Sequence, residues 1–392
     1  MVAVLSAFAE ALCIAGLAQQ AIGSLLVRPQ RRAPAPGTSL PPVSILKPLH
    51  GAEPLLETAL ESFFLLDHTK FQLIFGTDDP ADPALGIVEK LRRRYPRTDI
   101  AVVAGPTPPG RNRKVANLIN MLPSARHELL VISDADMHVP PDFLASVLSA
   151  LTQQGAGLAT SFYTGLPASA DLPARLGAMQ INHLFLPGAA LARRFGRQDC
   201  LGATMALSRA TLERVGGLEA LLDHLADDNV LGRKVRDAGS AVVLAPVIPA
   251  TTVTETDFRA LIRHELRWAR TIRALVPGAY WGLVIQFPLF WAAMALLLTG
   301  FAPWAWIALG FAAMIRYAIA RRLERRLGIN SAGPAAPGLA KTAAPWLFLL
   351  RDGLSAAIFL ASFWSDTVEW RGHVLRADGG SATTKRLTKR TS

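Results

Sequence analysis

Two carboxylates one residue apart, Asp134 and Asp136, close the apolar run Leu130-Val-Ile-Ser. A hydrophobic strand that runs into such a pair brings both side chains near one point, and hard oxygen donors of this kind suit Mg²⁺ or Mn²⁺ held against a diphosphate. The same residues also serve a solvated loop or a helix cap, so the pair takes its meaning from its companions. Asp79, in Thr77-Asp-Asp-Pro-Ala-Asp82-Pro83, ends a second apolar run and can accept hydrogen bonds from a base or ribose. Asp before Pro is equally turn chemistry. Arg111-Asn-Arg113-Lys114-Val-Ala-Asn117 offers cations and amides to a phosphate or a base, Lys114 among them, or else a basic helix start.

Asp227-Asp228 precedes the helical run Val230 to Ala238. A carboxylate there is an N-cap or, in the chemical reading, a general base for an attacking hydroxyl, and Asp228 is the expected base. Arg267 and Trp268 sit on an amphipathic stretch that starts at Asp257. Arg267 can clamp a diphosphate while Trp268 floors the site; alternatively both lie at headgroup level of a membrane. His127, His138 and His183 have no metal-ligand spacing, and neither Gly-x-Ser-x-Gly nor a P-loop occurs. Nucleophilic hydrolases and P-loop enzymes therefore lose their support.

The elements that must position these residues are legible as short apolar runs, Val43-Ser-Ile-Leu, Phe71-Gln-Leu-Ile-Phe, Ile100-Ala-Val-Val and Leu129-Leu-Val-Ile, alternating with helical stretches Glu53 to Phe64 and Ala84 to Arg94. That alternation predicts a parallel, Rossmann-like α/β sheet. Ligands in such sheets gather at the carboxyl ends of the strands, where Asp79 and the Asp134/Asp136 pair fall.

Hydrophobic residues make up 51% of the 392 and charged residues 18%, too apolar for an ordinary soluble chain and too polar for a membrane bundle throughout. Val2 to Val27 reads as an uncleaved anchor, because no Lys or Arg occurs among the first twenty residues. The Arg31-Arg32 pair beyond it places its far end in the cytoplasm. Glu10, Gln19 and Gln20 interrupt the anchor and call for a protein neighbour. Gly282 to Leu298 and Ala302 to Ala320 read as spans. Pro345 to Trp364 carries Arg351-Asp352 and so reads as re-entrant or interfacial, with the Pro277 to Pro288 region as the alternative interfacial segment. The expected division is anchor 1–28, linker 29–42, α/β domain 43–256, interfacial helix region 257–280, membrane helices 281–366 and basic tail 367–392. The net charge of +11 lies mostly in clusters beside apolar segments, such as Arg321 to Arg326, which favours membrane flanks over nucleic acid. Two cysteines, Cys13 and Cys200, make no disulfide scaffold and fit a reduced compartment.

Taken in order, Ile45-Leu-Lys47-Pro48-Leu-His-Gly51, Asp79-Pro-Ala-Asp82-Pro83, Asn112-Arg-Lys114-Val-Ala-Asn117, Ser133-Asp134-Ala-Asp136, Asp227-Asp228, Arg267-Trp268 and Val368-Glu-Trp370-Arg371-Gly372 resemble the ceramide glucosyltransferase family of inverting GT-A glycosyltransferases. The bacterial hopanoid-biosynthesis glycosyltransferases look nearest within it. The resemblance implies a GT-A fold and a UDP-sugar donor. It also implies that Asp79 contacts the nucleotide, that Asp134 and Asp136 hold a metal–diphosphate with Mg²⁺ or Mn²⁺, and that Asp228 is the catalytic base. The hopanoid branch implies UDP-N-acetylglucosamine and bacteriohopanetetrol at a bacterial inner membrane, whereas the ceramide branch implies UDP-glucose and ceramide. One departure stands out: His264 occupies the position, three residues before Arg267-Trp268, where the family has Gln or Arg. A processive polysaccharide synthase shares these motifs but needs more spans than the three or four expected here. A nucleotide sensor without turnover would have no use for the complete acidic set.

Overall fold

The computed structural model describes residues 1–28, 40–68, 70–329, 344–370 and 373–376. Most of the expected linker 29–42, the Ala/Pro/Gly stretch Ser331 to Lys341, Arg371, Gly372 and the basic tail from 377 onward lie outside the described residues. After α1 (Val2–Leu26) the chain alternates β1 (Val43–Pro48), α2 (Leu56–Phe64), β2 (Phe71–Thr77), α3 (Ala84–Arg94), β3 (Asp99–Ala104), α4 (Arg113–Met121) and β4 (Leu129–Ser133). These strands fall on the four expected apolar runs, and the reason is visible in burial. Ile45 and Leu46 are both fully buried, but in different cores, as are Val131 and Ile132. A strand sealed on both faces shows no alternation and reads as one apolar run. Leu60 and Phe63 of α2 and Val88 of α3 fill one core, and Val115, Leu118 and Met121 of α4 fill the other. Each such side chain contributes roughly 1.5–3 kcal/mol on burial.

The chain continues through β5 (Met137–His138), α5 (Phe143–Leu151), β6 (Ala156–Thr160), β7 (Thr164–Pro167), α6 (Leu172–Gln180), α7 (Leu186–Arg194), β8 (Thr204–Ser208), α8 (Arg209–Arg214), α9 (Asp227–Asp237), β9 (Ala241–Leu244) and β10 (Ala250–Val253). The main sheet runs β3-β2-β1-β4-β8-β6-β9. The expectation of a parallel sheet holds for β1 to β4 and needs correction beyond them, because β8 is antiparallel to both β4 and β6. The reversal matters for the site: Thr204, at the start of β8, pairs with Ser133, at the end of β4. The loop before β8 is thereby brought to the edge where the parallel strands finish. A second sheet, β5-β10-β7, stands beside that edge.

The remaining helices are α10 (Phe258–Leu275), α11 (Pro277–Tyr280), α12 (Pro288–Leu298), α13 (Pro303–Leu327) and α14 (Pro345–Ala361), followed by the hairpin β11 (Thr367–Trp370) and β12 (His373–Arg376). Val2–Leu26, Pro303–Leu327 and Pro345–Trp364 are each long and apolar enough to cross a membrane. The span expected at Gly282 to Leu298 is not one straight helix. It is broken before Pro288, and the segments Pro277–Gln286 and Pro288–Leu298 meet at 66°. Proline lacks the N–H that would continue the ladder, and the next free donor, Leu289 N, is satisfied by Asp352 Oδ2 at 3.0 Å.

These helices are turned inside out relative to a soluble bundle. On α1 the buried positions are Ser6, Ala9, Cys13, Gly16, Gln19, Gln20, Gly23 and Ser24, while Val4, Phe8, Ile14 and Ile22 are exposed. Small and polar residues face protein and large apolar ones face outward, as lipid requires. Gln19 and Gln20 thus face protein rather than lipid, although the Gln20 amide has no hydrogen-bond partner among the described residues. The Arg351-Asp352 charges are likewise fully buried and paired. Arg351 makes a two-pronged bond to Glu265 of α10, 2.7 Å on each prong, and Asp352 lies 3.7 Å from Arg316 of α13. Just beyond α14, Thr367 O and Asp366 accept from Arg270 and Arg273, so the segment stays beside α10.

Two outcomes follow. A Cβ on Gly16 would stand 2.2 Å from Ile285 O, and one on Gly23 would stand 2.4 Å from Pro187 O. Gly16→Val or Gly23→Val should therefore cost about 1–3 kcal/mol by overpacking, seen as a lower unfolding midpoint in detergent, whereas Gly310→Val, with open space around it, should not. Arg351→Met leaves Glu265 buried without its partner and should cost about 3–5 kcal/mol, while Arg351→Met with Glu265→Gln should recover most of that loss. An unchanged midpoint in the single variant would show that the pair bears no load.

Candidate active site

The carboxyl ends of β1 and β4 adjoin at the point where strand order reverses, with β2 and β3 on one side and β8 on the other. Open α/β sheets bind ligands at such a point. Asp134 and Asp136 follow directly from β4. Asp134 has a side chain 37% exposed, and its Oδ1 is 2.5 Å from Lys114 Nζ. Asp136 is held from the second sheet: Thr251 Oγ1 donates to its Oδ2 at 2.5 Å, and Thr252 N donates to its carbonyl at 3.1 Å. Burial, and then the neighbouring Asp134 charge, keep the Asp136 carboxyl above its ordinary range.

Lys114 is on the first turn of α4, set there by Asn112. The Asn112 side chain caps the helix by accepting from Val115 N at 3.1 Å, while its amide donates to His224 O at 2.9 Å and to Asp227 Oδ1 at 3.1 Å. One residue thereby ties α4 to the start of α9 and leaves Lys114 between Asp134 and Asp227, the latter 3.9 Å away. Burial opposes its charge, but Asp134 and Asp227 outweigh burial and hold the ammonium above its usual range.

Asp227 and Asp228 are within the first turn of α9, and the capping position is Ala226. Asp228 Oδ2 accepts from Gly202 N at 2.8 Å and its Oδ1 from Asn229 N at 2.7 Å. Burial first, then Asp227, push its carboxyl up to about 6, against the pull of Lys114. A Cβ on Gly202 would meet Asp228 Oδ2 at 3.0 Å, so this glycine allows the loop before β8 to approach.

Arg267 is half-buried on α10, and its charge, like those of Asp228, Asp134 and Asp136, reaches the Tyr163 phenol. Burial and the three carboxylates together push that phenol well above its usual range. Trp268 packs with Tyr163 and Phe185 against Ala178, Ile181 and Val253. His264 is committed elsewhere: its Nδ1 pairs with Glu255 Oε1, and its ring meets Trp268 edge-on at 4.7 Å. His264 is thereby held between Glu255 and the Trp268 ring. Asp79 is exposed at the end of β2, where its Oδ1 closes a turn on Ala81 N at 2.9 Å. It shares the sheet edge but stands apart from the Lys114 cluster. Its neighbour Asp78 pairs with Arg113, and Asp82 is buried, accepting from Gly51 N, Ala84 N and Thr77 Oγ1.

Two participants carry little sequence signal. Lys47 is fully buried at the end of β1, 3.7 Å from the Phe63 ring centre, donating to Asp134 O and, at 3.4 Å, to Ser133 Oγ. Burial pushes its ammonium down to about 7, although Asp136 and Asp134 pull it up. A lysine inside an apolar strand was the available clue. Thr251, by contrast, is one hydroxyl among many. Among the described residues no group of three or more His, Cys, Asp and Glu gathers around one point for a metal. Two adjacent carboxylates, one strained by the other's charge, nevertheless fit a hard cation that takes its other ligands from a diphosphate and water.

The architecture is that of the GT-A class. The mannosyltransferase PcManGT from Pyrobaculum calidifontis, solved in complex with GDP-Man and Mn²⁺, shares the fold at a TM-score of 0.51 and 19% identity, over 92% of this chain and 99% of that one. The model of glycosyl transferase family 21 matches residues 8–383, and the chain belongs to that family. Ceramide glucosyltransferase 3 from Caenorhabditis elegans is 26% identical over 249 residues, 61% of this chain and 52% of the relative. The ceramide glucosyltransferase of Komagataella phaffii is 32% identical over 115 residues, 28% of this chain and 23% of the relative. The chain spans about half the length of the Caenorhabditis relative.

Asp82 and Asp79 should separate cleanly. Asp82→Ala strands three donors and should lower the unfolding midpoint, by about 1–3 kcal/mol for each buried donor left unmet. Asp79→Asn, which keeps the acceptor for Ala81 N, should leave the midpoint unchanged.

Proposed function

We propose that this chain transfers a single sugar from a UDP-sugar to the hydroxyl of a membrane lipid, with inversion at the anomeric carbon. The observation that carries the reading is one shared space. The charges of Asp134, Asp136, Asp228 and Arg267 all act on the Tyr163 phenol, whose neighbours Phe185 and Trp268 join the site to α6, α7 and α10, helices packed on the membrane segments.

In the mechanism, the lipid hydroxyl attacks the anomeric carbon while Asp228 accepts its proton. A carboxyl raised to about 6 is still mostly ionised at pH 7 and is a stronger base than an ordinary aspartate. Lys114 keeps Asp134 and Asp227 in register. Arg267 balances charge that develops on the departing diphosphate, and Trp268 with Tyr163 keeps water from the reacting centre. A divalent cation held by Asp134 and Asp136 supplies further neutralisation of the diphosphate when bound. Asp79 contacts the nucleotide from the end of β2.

Residues 43–256, with Arg267 and Trp268 of the interfacial region 257–280, carry the transfer chemistry, and 281–366 with the anchor attach it to a bacterial inner membrane, the α/β domain in the cytoplasm. UDP-N-acetylglucosamine and a polyol hopanoid such as bacteriohopanetetrol are the pair we favour, on the resemblance to the hopanoid branch. The names of the curated relatives support UDP-glucose and ceramide as the alternative. Incubating the detergent-purified protein with each UDP-sugar and each lipid, followed by mass spectrometry of the products, decides between them; a polymeric product would refute single transfer.

Asp228→Asn should lower kcat by about 10²–10⁴-fold with UDP-sugar affinity retained. The pH profile carries a sign. Turnover needs ionised Asp228, so kcat/KM should fall with unit slope below about pH 6. Lys114 pulls that pKa down, so Lys114→Met should move the acid limb to higher pH. A limb that moves to lower pH would remove Asp228 from the role.

A further inference from the structure

The carboxyl-terminal ends of α1 and α13 lie side by side. Arg326 Nη1 donates to Ser24 O and Leu25 O, both at 3.2 Å. Val27 and Leu323 share a cluster with Phe162, Leu186 and Ala190, which puts both helix ends on the side of the membrane zone that carries the α/β domain. A cavity of about 70 Å³ opens between the two helices, lined by Ser24, Arg322 and Arg326 and by apolar Ala21, Leu25 and Ile319.

Three features of this cavity ask for an anion. Ser24 Oγ is buried, with the residue 8% exposed, and has no hydrogen-bond partner among the described residues. An unmet buried hydroxyl costs free energy that a ligand can return. Arg322 and Arg326 line the same space, and no acidic residue does. Glu324 lies on the same helix but is occupied by His183 at 3.2 Å and Arg321 at 2.8 Å. The walls, however, are apolar, and Leu25 and Ile315, the latter one turn from Ile319, leave apolar surface exposed beside it. A free inorganic anion has no use for such walls, whereas an acyl chain does. Basic residues at helix ends also arise from topology alone, but topology does not call for a cavity or an unpaired serine.

We propose that this cavity binds the phosphate of an anionic glycerophospholipid, with Arg322, Arg326 and Ser24 as donors and the acyl chains laid along α1 and α13. Basic pockets between membrane helices recognise headgroups in this way. Because Arg326 also ties the end of α1 to α13, the lipid would brace the junction between the membrane helices and the α/β domain, apart from the transfer site.

The test uses the full chain purified in detergent, with phosphatidylglycerol, phosphatidylcholine or inorganic phosphate added. Phosphatidylglycerol should raise the unfolding midpoint by several degrees, and native mass spectra should retain one such lipid per chain. Arg322→Gln should lose both effects. Ala21→Leu, which fills the cavity, should lose them as well. Arg325→Gln, which removes an exposed charge from the same helix end without touching the cavity, should keep them. An equal shift from phosphatidylcholine or from inorganic phosphate alone would overturn the proposal, as would an equal loss in Arg325→Gln. The retained-lipid count decides even where a variant changes the lipid-free midpoint.

Discussion

Four carboxylates, those of Asp134, Asp136, Asp227 and Asp228, are crowded at one edge of the sheet, and the ammonium of Lys114 is what makes the crowding tenable. It touches Asp134 from β4 and lies near Asp227 from α9, two elements whose shared core lies beneath the site. Asn112 holds the cation in place by bonding to both α4 and Asp227. Lys47, driven under Phe63, supports the same loop from below through Asp134 O. Like charges in a partly desolvated space repel strongly, so the arrangement is poised for a cationic or proton-accepting role. The unequal environments of Asp136 and Asp228 give each carboxylate a distinct character.

The membrane half depends on the same economy of charge. Arg351 and Asp352 would be prohibitive in lipid, yet both are fully enclosed, and each joins a different helix: Arg351 reaches α10 through Glu265, and Asp352 reaches α12 and α13. Glu265 is two residues from Arg267. The stretch of α10 that carries Arg267-Trp268 is thereby tied to α14, far along the chain.

Much of this was legible in the sequence, and what escaped has a physical cause. β1, β2 and β4 announce themselves because burial on both faces makes them continuous apolar runs, and Asp134, Asp136 and Asp228 because acidic residues at element ends invite a chemical reading. The antiparallel β8 was hidden, since Thr204–Ser208 has no pattern that distinguishes strand direction. The break before Pro288 was readable only as composition, and its stabilisation by Asp352 is a tertiary fact. Roles for Tyr163, Gly202 and Thr251 arise from approach in space between segments roughly 25 to 115 positions apart, which no local signal records. The linker, the tail and the Arg371-Gly372 end of the closing motif lie outside the described residues.

The packing of α1 has a consequence for how the protein is made. Its polar stripe, with Gln19, Gln20 and Ser24, is buried against α7, α12 and α13, the last of which ends at Leu327. α1 thus waits for partners synthesised later: α7 roughly 160 positions on, α12 and α13 roughly 260 to 280. Until α7 is made, its buried face has no partner among these helices. The membrane bundle is therefore assembled from segments far apart in the chain, and it becomes complete only when α14, packed on α12 and α13, has emerged.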